Sequence, residues 1–271
     1  LKPSNFFACA LNSETCVLHN VPEVSDVEAT MEILSEMGCV IRRLSPTTVE
    51  INGAGFRAGT SPEGLVSSIR ASSYLMGAEL GRFGFTRIAF PGGCKFGVAR
   101  PLDYHIRAFE IMGAEMETTG YGFSGEAPDG LHEGKIILDM ASVGATVNIM
   151  LAACLAEGQT VIENCAKEPH IVDLANFLNS MGADIKGAGT DSIRIRGVER
   201  LVGGSYCIIP DQIEAGTYMT AVAATGGQLL IKNVIPKHMD CISAKLMEMG
   251  VYVEEMDDTL LVRRTGPLQR T

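Results

Sequence analysis

A fourfold repeat is the feature of this sequence that most constrains its fold. The dipeptide Met-Gly follows an amphipathic stretch and precedes a predicted strand at four places, which begin at Met37, Met112, Met181 and Met249. The intervals between them are 75, 69 and 68 residues. A glycine just after a helix supplies the left-handed cap that ends it, so each copy predicts a helix, a sharp turn and a strand. One such unit cannot bury its own helices, and several units must therefore pack around a shared core.

The rest of each unit repeats as well. An apolar helix rich in small residues leads through a turn into a short strand, which is followed by asparagine at Asn20, Asn164 and Asn233. The corresponding stretch in the remaining copy, residues 75–90, continues instead into Pro91-Gly-Gly-Cys94. The pattern predicts an α/β fold with internal symmetry, built from helix–strand units of about 70 residues. The departure of one copy indicates that this loop carries function, since repeat scaffolds acquire sites by loop variation.

Composition and charge exclude several classes of protein. Hydrophobic residues make up 46% and charged residues 20%, which is ordinary globular composition. The formal net charge of −10 disfavours nucleic acid and anionic membranes as partners. No apolar run is long enough to cross a bilayer, and no signal peptide is recognisable. The eight cysteines include no C-x-x-C pair and the five histidines show no ligand spacing, so we expect a cytoplasmic protein with reduced thiols and without a metal or cofactor.

The acidic chain contains one basic island. Residues 80–102 include Arg82, Arg87, Lys95 and Arg100 but neither aspartate nor glutamate. Such an island is where an anionic ligand would bind an otherwise acidic protein. The alternative is a solvated basic loop, which is common for any cluster of charges.

Cys94 lies in this island and is the leading candidate for a catalytic residue. Gly92 and Gly93 precede it and allow a ligand to approach the backbone closely. Lys95 follows directly and Arg100 is near in sequence, and cationic neighbours lower a thiol pKa and favour the thiolate. The alternative is that Cys94, like most cysteines, is a small buried hydrophobic residue.

Two further segments are candidates for ligand binding. Residues 142–146 follow an apolar strand and open a helix, whose N-terminal amides would suit a phosphate; the alternative is an ordinary helix start capped by Ser142 or Thr146. Arg70 is predicted to lie in a helix that begins at Ser61-Pro62. Its neighbours are small, so its side chain could reach a ligand, although a plain surface arginine is the alternative.

Six motifs, in order along nearly the whole chain, resemble the UDP-N-acetylglucosamine enolpyruvyl transferases. They are Asn20-Val-Pro, Leu65-Val-Ser-Ser-Ile-Arg70-Ala-Ser, Pro91-Gly-Gly-Cys94, Arg100-Pro-Leu-Asp103, Ser142-Val-Gly-Ala-Thr146 and Glu168-Pro-His-Ile-Val-Asp173-Leu-Ala-Asn-Phe-Leu. The resemblance implies two domains, each an inverted α/β barrel of three repeats, with the site in the cleft between them. It also implies that the enolpyruvyl group of phosphoenolpyruvate is transferred to the 3-hydroxyl of UDP-N-acetylglucosamine. Phosphate is released, and this is the first committed step of peptidoglycan synthesis.

The same resemblance assigns roles to individual residues. Cys94 would donate a proton to the enolpyruvyl methylene, form a covalent phosphoenolpyruvate adduct and react with the epoxide fosfomycin. Residues 100–104 would hold the uridine nucleotide, and residues 142–144 would form the turn that binds its diphosphate. The implied substrate-binding residues are Arg70, Arg100, Pro101, Leu102, Asp103, Tyr104, Ser142, Val143 and Gly144.

The sequence departs from the family pattern at several points. The loop after Cys94 has one extra residue near Val98, and Met140 stands where some relatives carry a lysine that contacts the nucleotide. A Lys-Asn pair that binds phosphoenolpyruvate is expected before Leu1, and an aspartate proposed as general base is expected beyond Thr271. We therefore expect a chain truncated at both ends, which has no transferase activity by itself.

The expected division is a complete first barrel, residues 1–209, followed by one repeat of a second domain, residues 210–271. We expect that single repeat to expose apolar residues such as Leu229, Leu230, Leu246 and Met249. Two alternatives for function remain. The first is a shikimate-phosphate enolpyruvyl transferase, in which we do not expect the cysteine of the loop. The second is a non-catalytic paralogue or fragment that binds UDP-sugars or protein partners without turnover.

Overall fold

The structure of the chain is a computed structural model that describes residues 3–93 and 102–270. In these ranges the α-helices span Pro3–Cys9 (α1), Ser25–Glu36 (α2), Glu63–Val66 (α3), Leu75–Phe83 (α4), Asp103–Ile111 (α5), Val143–Ala153 (α6), Pro169–Ser180 (α7), Gln212–Thr225 (α8) and Asp240–Glu248 (α9). Two short 3₁₀ segments span Arg70–Tyr74 and Pro236–Met239. None of the helices in the described ranges is both long and apolar enough to cross a membrane.

The strands alternate with these helices along the chain. They span Thr15–His19 (β1), Val40–Ser45 (β2), Thr48–Asn52 (β3), Phe85–Ala89 (β4), Glu115–Thr118 (β5), Gly122–Glu126 (β6), Lys135–Ile137 (β7), Gln159–Glu163 (β8), Asp184–Lys186 (β9), Ser192–Arg196 (β10), Gly204–Cys207 (β11), Gly227–Lys232 (β12), Tyr252–Met256 (β13) and Thr259–Arg264 (β14). The predicted α/β fold is confirmed. The chain divides into two compact units, Leu1–Ile208 and Ile209–Thr271.

The four repeats share one strand topology. In each, a first strand is followed by a helix and an antiparallel pair, and the last strand of the pair lies in the middle, as in β1-β3-β2, β4-β6-β5, β8-β10-β9 and β12-β14-β13. Two of the sheets gain a fourth, parallel strand, because β11 pairs with β1 and β7 pairs with β8. The internal repeat predicted from the sequence is therefore a repeat in three dimensions.

The glycine that ends the second helix of each repeat has the predicted left-handed backbone. At Gly38, φ is 101°, and a β-carbon there would lie 2.1 Å from the carbonyl oxygen of Gly55. A larger residue at position 38 would therefore be strained by the positive φ angle and would clash with Gly55. The equivalent glycines have φ of 93° at Gly113, 100° at Gly182 and 87° at Gly250.

The repeated asparagines also have a common structural cause. Asn20, Asn164 and Asn233 have φ of 58°, 55° and 54°, a region that asparagine tolerates better than most residues with a β-carbon. The side chain of Asn20 donates a 2.9 Å hydrogen bond to the carbonyl oxygen of Ile208, just after the parallel strand β11. Asn164 makes the same bond, at 2.8 Å, to Leu138 after β7. Each of these two asparagines therefore turns the chain and makes a hydrogen bond to the residue that follows the added parallel strand.

Helix α6 forms the centre of the larger unit. It is apolar on all sides, and its residues from Ala145 to Ala153 are buried. Small residues on α4 let the two helices approach closely, since a β-carbon on Gly77 would lie 2.3 Å from the carbonyl oxygen of Asn148. The core around α6 contains four completely buried phenylalanines, which are Phe6, Phe7, Phe109 and Phe177.

The smaller unit packs α8 and α9 on the sheet β12-β14-β13 and has a core of its own. The expectation that Leu246 is exposed is wrong, because it is buried in this core with Met219, Leu260 and Val262. Leu229 and Met249 are partly buried against the same core. Leu230 is exposed as expected, with 46% of its surface accessible. Leu230 lies on the face of β12 opposite the core, which explains why it is exposed although Leu246 is buried.

Candidate functional site

The chain leaves β4 in direct contact with the segment that precedes Arg70. The backbone N–H of Gly92 donates a 3.2 Å hydrogen bond to the carbonyl oxygen of Val66, and the Ser67 hydroxyl donates one of 3.3 Å to that of Phe90. A β-carbon on Gly92 would lie 1.9 Å from the carbonyl oxygen of Ser67. The glycine is therefore required for this close approach of two backbones.

Gly93 extends the contact to Arg70. Its φ is 101°, and a β-carbon on it would lie 2.9 Å from the β-carbon of Arg70. The residue directly before Cys94 is thus held against Arg70, although the two residues are more than twenty positions apart. Three of the predicted site residues lie outside the described residues: Cys94, Arg100 and Pro101.

The prediction of one helix from Ser61-Pro62 through Arg70 is wrong. Helix α3 ends at Val66, and Arg70 begins the 3₁₀ segment that leads into α4. The hydroxyl of Ser72 donates to the carbonyl oxygens of Val66, at 2.7 Å, and of Ile69, at 2.6 Å. A serine side chain that binds these carbonyl groups offers the backbone an alternative to a continuous helix.

His105 lies at the contact between α5 and α6, where the charge of Arg70 also acts on it. Only 4% of its surface is accessible. Its Nδ1 lies 2.7 Å from Nδ2 of Asn148, and a β-carbon on Gly144 would lie 3.2 Å from its Nε2. Burial, with a smaller contribution from the positive charge of Arg70, lowers the pKa of His105 to about 3. The imidazole is therefore neutral at physiological pH.

Asn148 holds this arrangement from the centre of the core. Its Nδ2 donates a 2.9 Å hydrogen bond to the carbonyl oxygen of Ser73, and its Oδ1 accepts one of 2.8 Å from the backbone N–H of Gly77. Sequence reasoning assigned no role to His105 or Asn148. The available signal was an asparagine within an otherwise apolar helix, since a buried polar side chain needs hydrogen-bond partners.

The residues at the start of α5 differ in exposure. Leu102 is buried, and its carbonyl oxygen accepts hydrogen bonds from the backbone N–H groups of His105, at 3.0 Å, and Ile106, at 3.1 Å. Asp103 is exposed, whereas Tyr104 is half-buried and packs against the core. The segment predicted to hold the uridine nucleotide therefore ends at the well-packed start of α5. His105 lies in the first turn of this helix.

Sequence reasoning left Ser142 and Thr146 open as the N-cap of α6, and the structure distinguishes between them. Ser142 is the N-cap, and its hydroxyl accepts a 3.3 Å hydrogen bond from the backbone N–H of Ala145. Thr146 is buried and instead accepts from Ala166, at 3.1 Å. Gly144 lies in the first turn, beneath the His105 ring. A helix start with exposed amides can bind an anion, and here it lies beside a buried imidazole.

Arg82, one of the four basic residues of the island, makes hydrogen bonds within the fold. The Nη1 atom of Arg82 donates to three carbonyl oxygens, those of Ala10 at 2.6 Å, Asn12 at 3.0 Å and Gly53 at 2.8 Å. Through these bonds Arg82 joins α4 to the loops of the first repeat. In the described ranges, no group of three or more histidine, cysteine, aspartate or glutamate side chains could hold a metal ion.

Comparisons with known proteins decide the family. The sequence profile of the family described as EPSP synthase (3-phosphoshikimate 1-carboxyvinyltransferase) matches residues 5–270. The chain belongs to the EPSP synthase family. Among solved structures, this family member is similar to the enolpyruvyl transferase NikO from Streptomyces tendae, with a TM-score of 0.83 at 22% identity over 98% of this chain and 64% of that chain. It is also similar to EPSP synthase from Acinetobacter baumannii, with a TM-score of 0.72 at 23% identity over 97% of this chain and 62% of that chain.

Curated members of the EPSP synthase family are much more similar in sequence. UDP-N-acetylglucosamine 1-carboxyvinyltransferase 3 of Caldanaerobacter subterraneus subsp. tengcongensis is 52% identical over 263 residues, which cover 97% of this chain and 62% of that protein. UDP-N-acetylglucosamine 1-carboxyvinyltransferase of Clostridium botulinum is 52% identical over 251 residues, which cover 93% of this chain and 60% of that protein. The chain thus spans about three-fifths of the length of the curated relatives that it matches.

Proposed function

We propose that this chain is the larger part of a UDP-N-acetylglucosamine enolpyruvyl transferase. Such an enzyme transfers the enolpyruvyl group of phosphoenolpyruvate to the sugar 3-hydroxyl and releases phosphate. The observation that carries the proposal is the 52% identity, over 97% of the chain, to a relative that bears this activity in its name. A shikimate-phosphate enolpyruvyl transferase is the weaker candidate, since the EPSP synthase of Acinetobacter baumannii is 23% identical.

Cys94 carries the chemistry in this proposal. The sugar hydroxyl loses its proton to a general base as its oxygen forms a bond to C2 of phosphoenolpyruvate, while C3 of the methylene group takes a proton from the Cys94 thiol. The bond from C2 to the phosphate oxygen then breaks and phosphate leaves, while C3 gives a proton back to the Cys94 thiolate, which restores both the double bond and the thiol. Cationic side chains of Lys95 and Arg100 beside the thiol would favour proton transfer, because they stabilise the thiolate that remains.

The described residues support a site for anions next to Cys94. Gly93 lies against Arg70, and His105, whose pKa is lowered in part by the charge of Arg70, packs against Gly144 in the first turn of α6. Both substrates carry phosphate groups, for which an arginine and a helix start are suitable partners. In the proposal, Ser142, Val143 and Gly144 bind the diphosphate, Arg70 and Arg100 bind anionic groups, and Pro101, Leu102, Asp103 and Tyr104 hold the uridine.

Covalent labelling of the chain tests the proposal. The 271-residue chain is incubated with fosfomycin, and in a second sample with phosphoenolpyruvate and UDP-N-acetylglucosamine, and the labelled peptides are mapped by mass spectrometry. We expect one adduct, on Cys94. Cys207 and Cys241 are exposed and serve as internal controls, since an unselective thiol reagent should label both.

Three outcomes would count against the proposal. A fosfomycin label on Cys207 or Cys241 would remove the assignment of Cys94. Calorimetric binding of shikimate 3-phosphate in place of UDP-N-acetylglucosamine would favour the other transferase. Binding of UDP-N-acetylglucosamine without any adduct at Cys94 would favour a non-catalytic UDP-sugar-binding protein.

A further inference from the structure

Two backbone groups fix the orientation of the Asn148 side-chain amide. The N–H of Gly77 must donate, and it lies 2.8 Å from Oδ1; the carbonyl oxygen of Ser73 must accept, and it lies 2.9 Å from Nδ2. A flipped amide would place two donors against each other at Gly77 and two acceptors against each other at Ser73. The atom that faces His105 at 2.7 Å is therefore Nδ2, a donor.

This orientation determines the tautomer of His105. Because Nδ2 of Asn148 donates, Nδ1 of His105 must accept, and the proton of the neutral imidazole lies on Nε2. The ring is 4% accessible and lies over Gly144, whose β-carbon, if it had one, would be 3.2 Å from Nε2. Within the described part of the chain, the hydrogen bond to this ring is made at Nδ1. A buried N–H donor thus lies against the first turn of α6.

We propose that Asn148 is a positioning residue that fixes His105 as the Nε2–H tautomer, so that His105 donates a hydrogen bond to a phosphoryl oxygen bound at the first turn of α6. The inference rests on the proposed function, which supplies a diphosphate as the ligand. It goes further by naming a neutral donor, and the residue that orients it, among the groups that bind the diphosphate.

The alternative is a histidine that only fills space in the core. That role would need the shape of the ring but neither a fixed tautomer nor an N–H donor next to Gly144. The positive charge of Arg70 favours the proposed role of His105 as a neutral donor. Arg70 already supplies positive charge, and an imidazolium next to it would be unfavourable, so a neutral donor adds a directional hydrogen bond without repulsion.

The tautomer is tested first, by NMR of the chain with ¹⁵N-labelled histidine. Loss of one pair of ring signals in His105→Gln assigns His105 among the five histidines. We expect the wild-type chain to show the Nε2–H tautomer, and titration with uridine diphosphate to shift the Nε2 signal. Asn148→Asp replaces the donor with an acceptor and should convert the ring to a form protonated at Nδ1. A wild-type ring protonated at Nδ1, or an Nε2 signal that uridine diphosphate leaves unchanged, would overturn the proposal.

Binding is tested by calorimetry with uridine diphosphate. His105→Phe keeps a ring but removes the donor, and we expect at least tenfold weaker binding. His105→Gln retains an amide N–H donor and should bind within about threefold of wild type. Thermal unfolding of both variants controls for packing. If His105→Phe does not fold, the wild-type NMR titration still decides the question.

The result also separates this inference from the proposed function. Wild-type binding of uridine diphosphate that is unchanged in folded His105→Phe would overturn the inference alone. A wild-type chain that binds neither uridine diphosphate nor UDP-N-acetylglucosamine would overturn both.

Discussion

Ser67 and Gly92 lie so close together that a β-carbon on Gly92 would be 1.9 Å from the carbonyl oxygen of Ser67. The contact joins the end of α3 to the strand exit that leads to Cys94, and it is backed by the hydrogen bond from the Gly92 N–H to Val66. Backbone atoms cannot yield to a side chain as a flexible neighbour can. This close contact at the base of the loop that leads to Cys94 therefore requires that residue 92 has no side chain.

Gly92→Ala should displace the loop base. We expect the free energy of unfolding in urea to fall by about 1–3 kcal/mol, the usual cost of forcing an extra carbon into a packed site. Under the proposed function, fosfomycin labelling at Cys94 should also slow. Gly64→Ala is the matched control, since a β-carbon on Gly64 meets nothing within 4 Å and should change stability little. Equal stability of the two variants would show that the loop base can move without cost.

Asn164 combines a left-handed backbone with a hydrogen bond to Leu138, and substitutions can separate the two. Asn164→Gly removes the bond but accepts the backbone angle, so we expect a loss of about 1 kcal/mol in the free energy of unfolding. Asn164→Ala adds the strain of a left-handed residue with a β-carbon and should lose about 2–3 kcal/mol. Urea unfolding of both variants provides the comparison, and equal losses would mean that the backbone angle is unimportant.

Glu79 should make the chain less stable as pH rises towards neutrality. Burial raises its pKa to about 7, even though its carboxylate accepts hydrogen bonds from Thr86, Gly59 and Arg87. The folded chain therefore holds a proton that the unfolded chain releases above pH 4.5. The stabilisation is complete below about pH 4.5 and is lost as pH rises through about 7, with a total on the order of 3 kcal/mol. Glu79→Gln should abolish this dependence, and unfolding of both chains from pH 4.5 to 8 measures the difference.

His105 should make the chain less stable as pH falls, which is the opposite of the effect of Glu79. Its pKa of about 3 lies below the ordinary value of 6.5, so the unfolded chain binds a proton that the folded chain excludes. The stabilisation is present above pH 6.5 and is lost as pH falls, by about 1.4 kcal/mol per pH unit while the difference of one proton lasts. We expect wild type to lose more stability than His105→Gln between pH 6.5 and 4.5. Parallel curves for the two chains would show that His105 is protonated in the fold.

Several features could be predicted because their causes are local. Helix ends at Gly38 and Gly182 follow from the left-handed angle that glycine permits, and the turns at Asn20 and Asn164 recur with the strands before them. Repetition of these local signals along the chain was enough to predict an α/β fold built from similar units. The resemblance of ordered motifs likewise indicated the UDP-N-acetylglucosamine 1-carboxyvinyltransferases that the comparisons find at 52% identity.

The tertiary structure decided what depends on distant partners. His105 and Asn148 are 43 positions apart and meet only because α5 and α6 pack together. Arg82 belongs to the basic island of the sequence, and in the fold its Nη1 atom donates to carbonyl oxygens about 30 and 70 positions away. A sequence shows which groups can donate or accept, whereas packing determines which of them meet. The repeat and its turns were thus determined by the sequence alone, and the hydrogen bonds around the candidate site were determined by the fold.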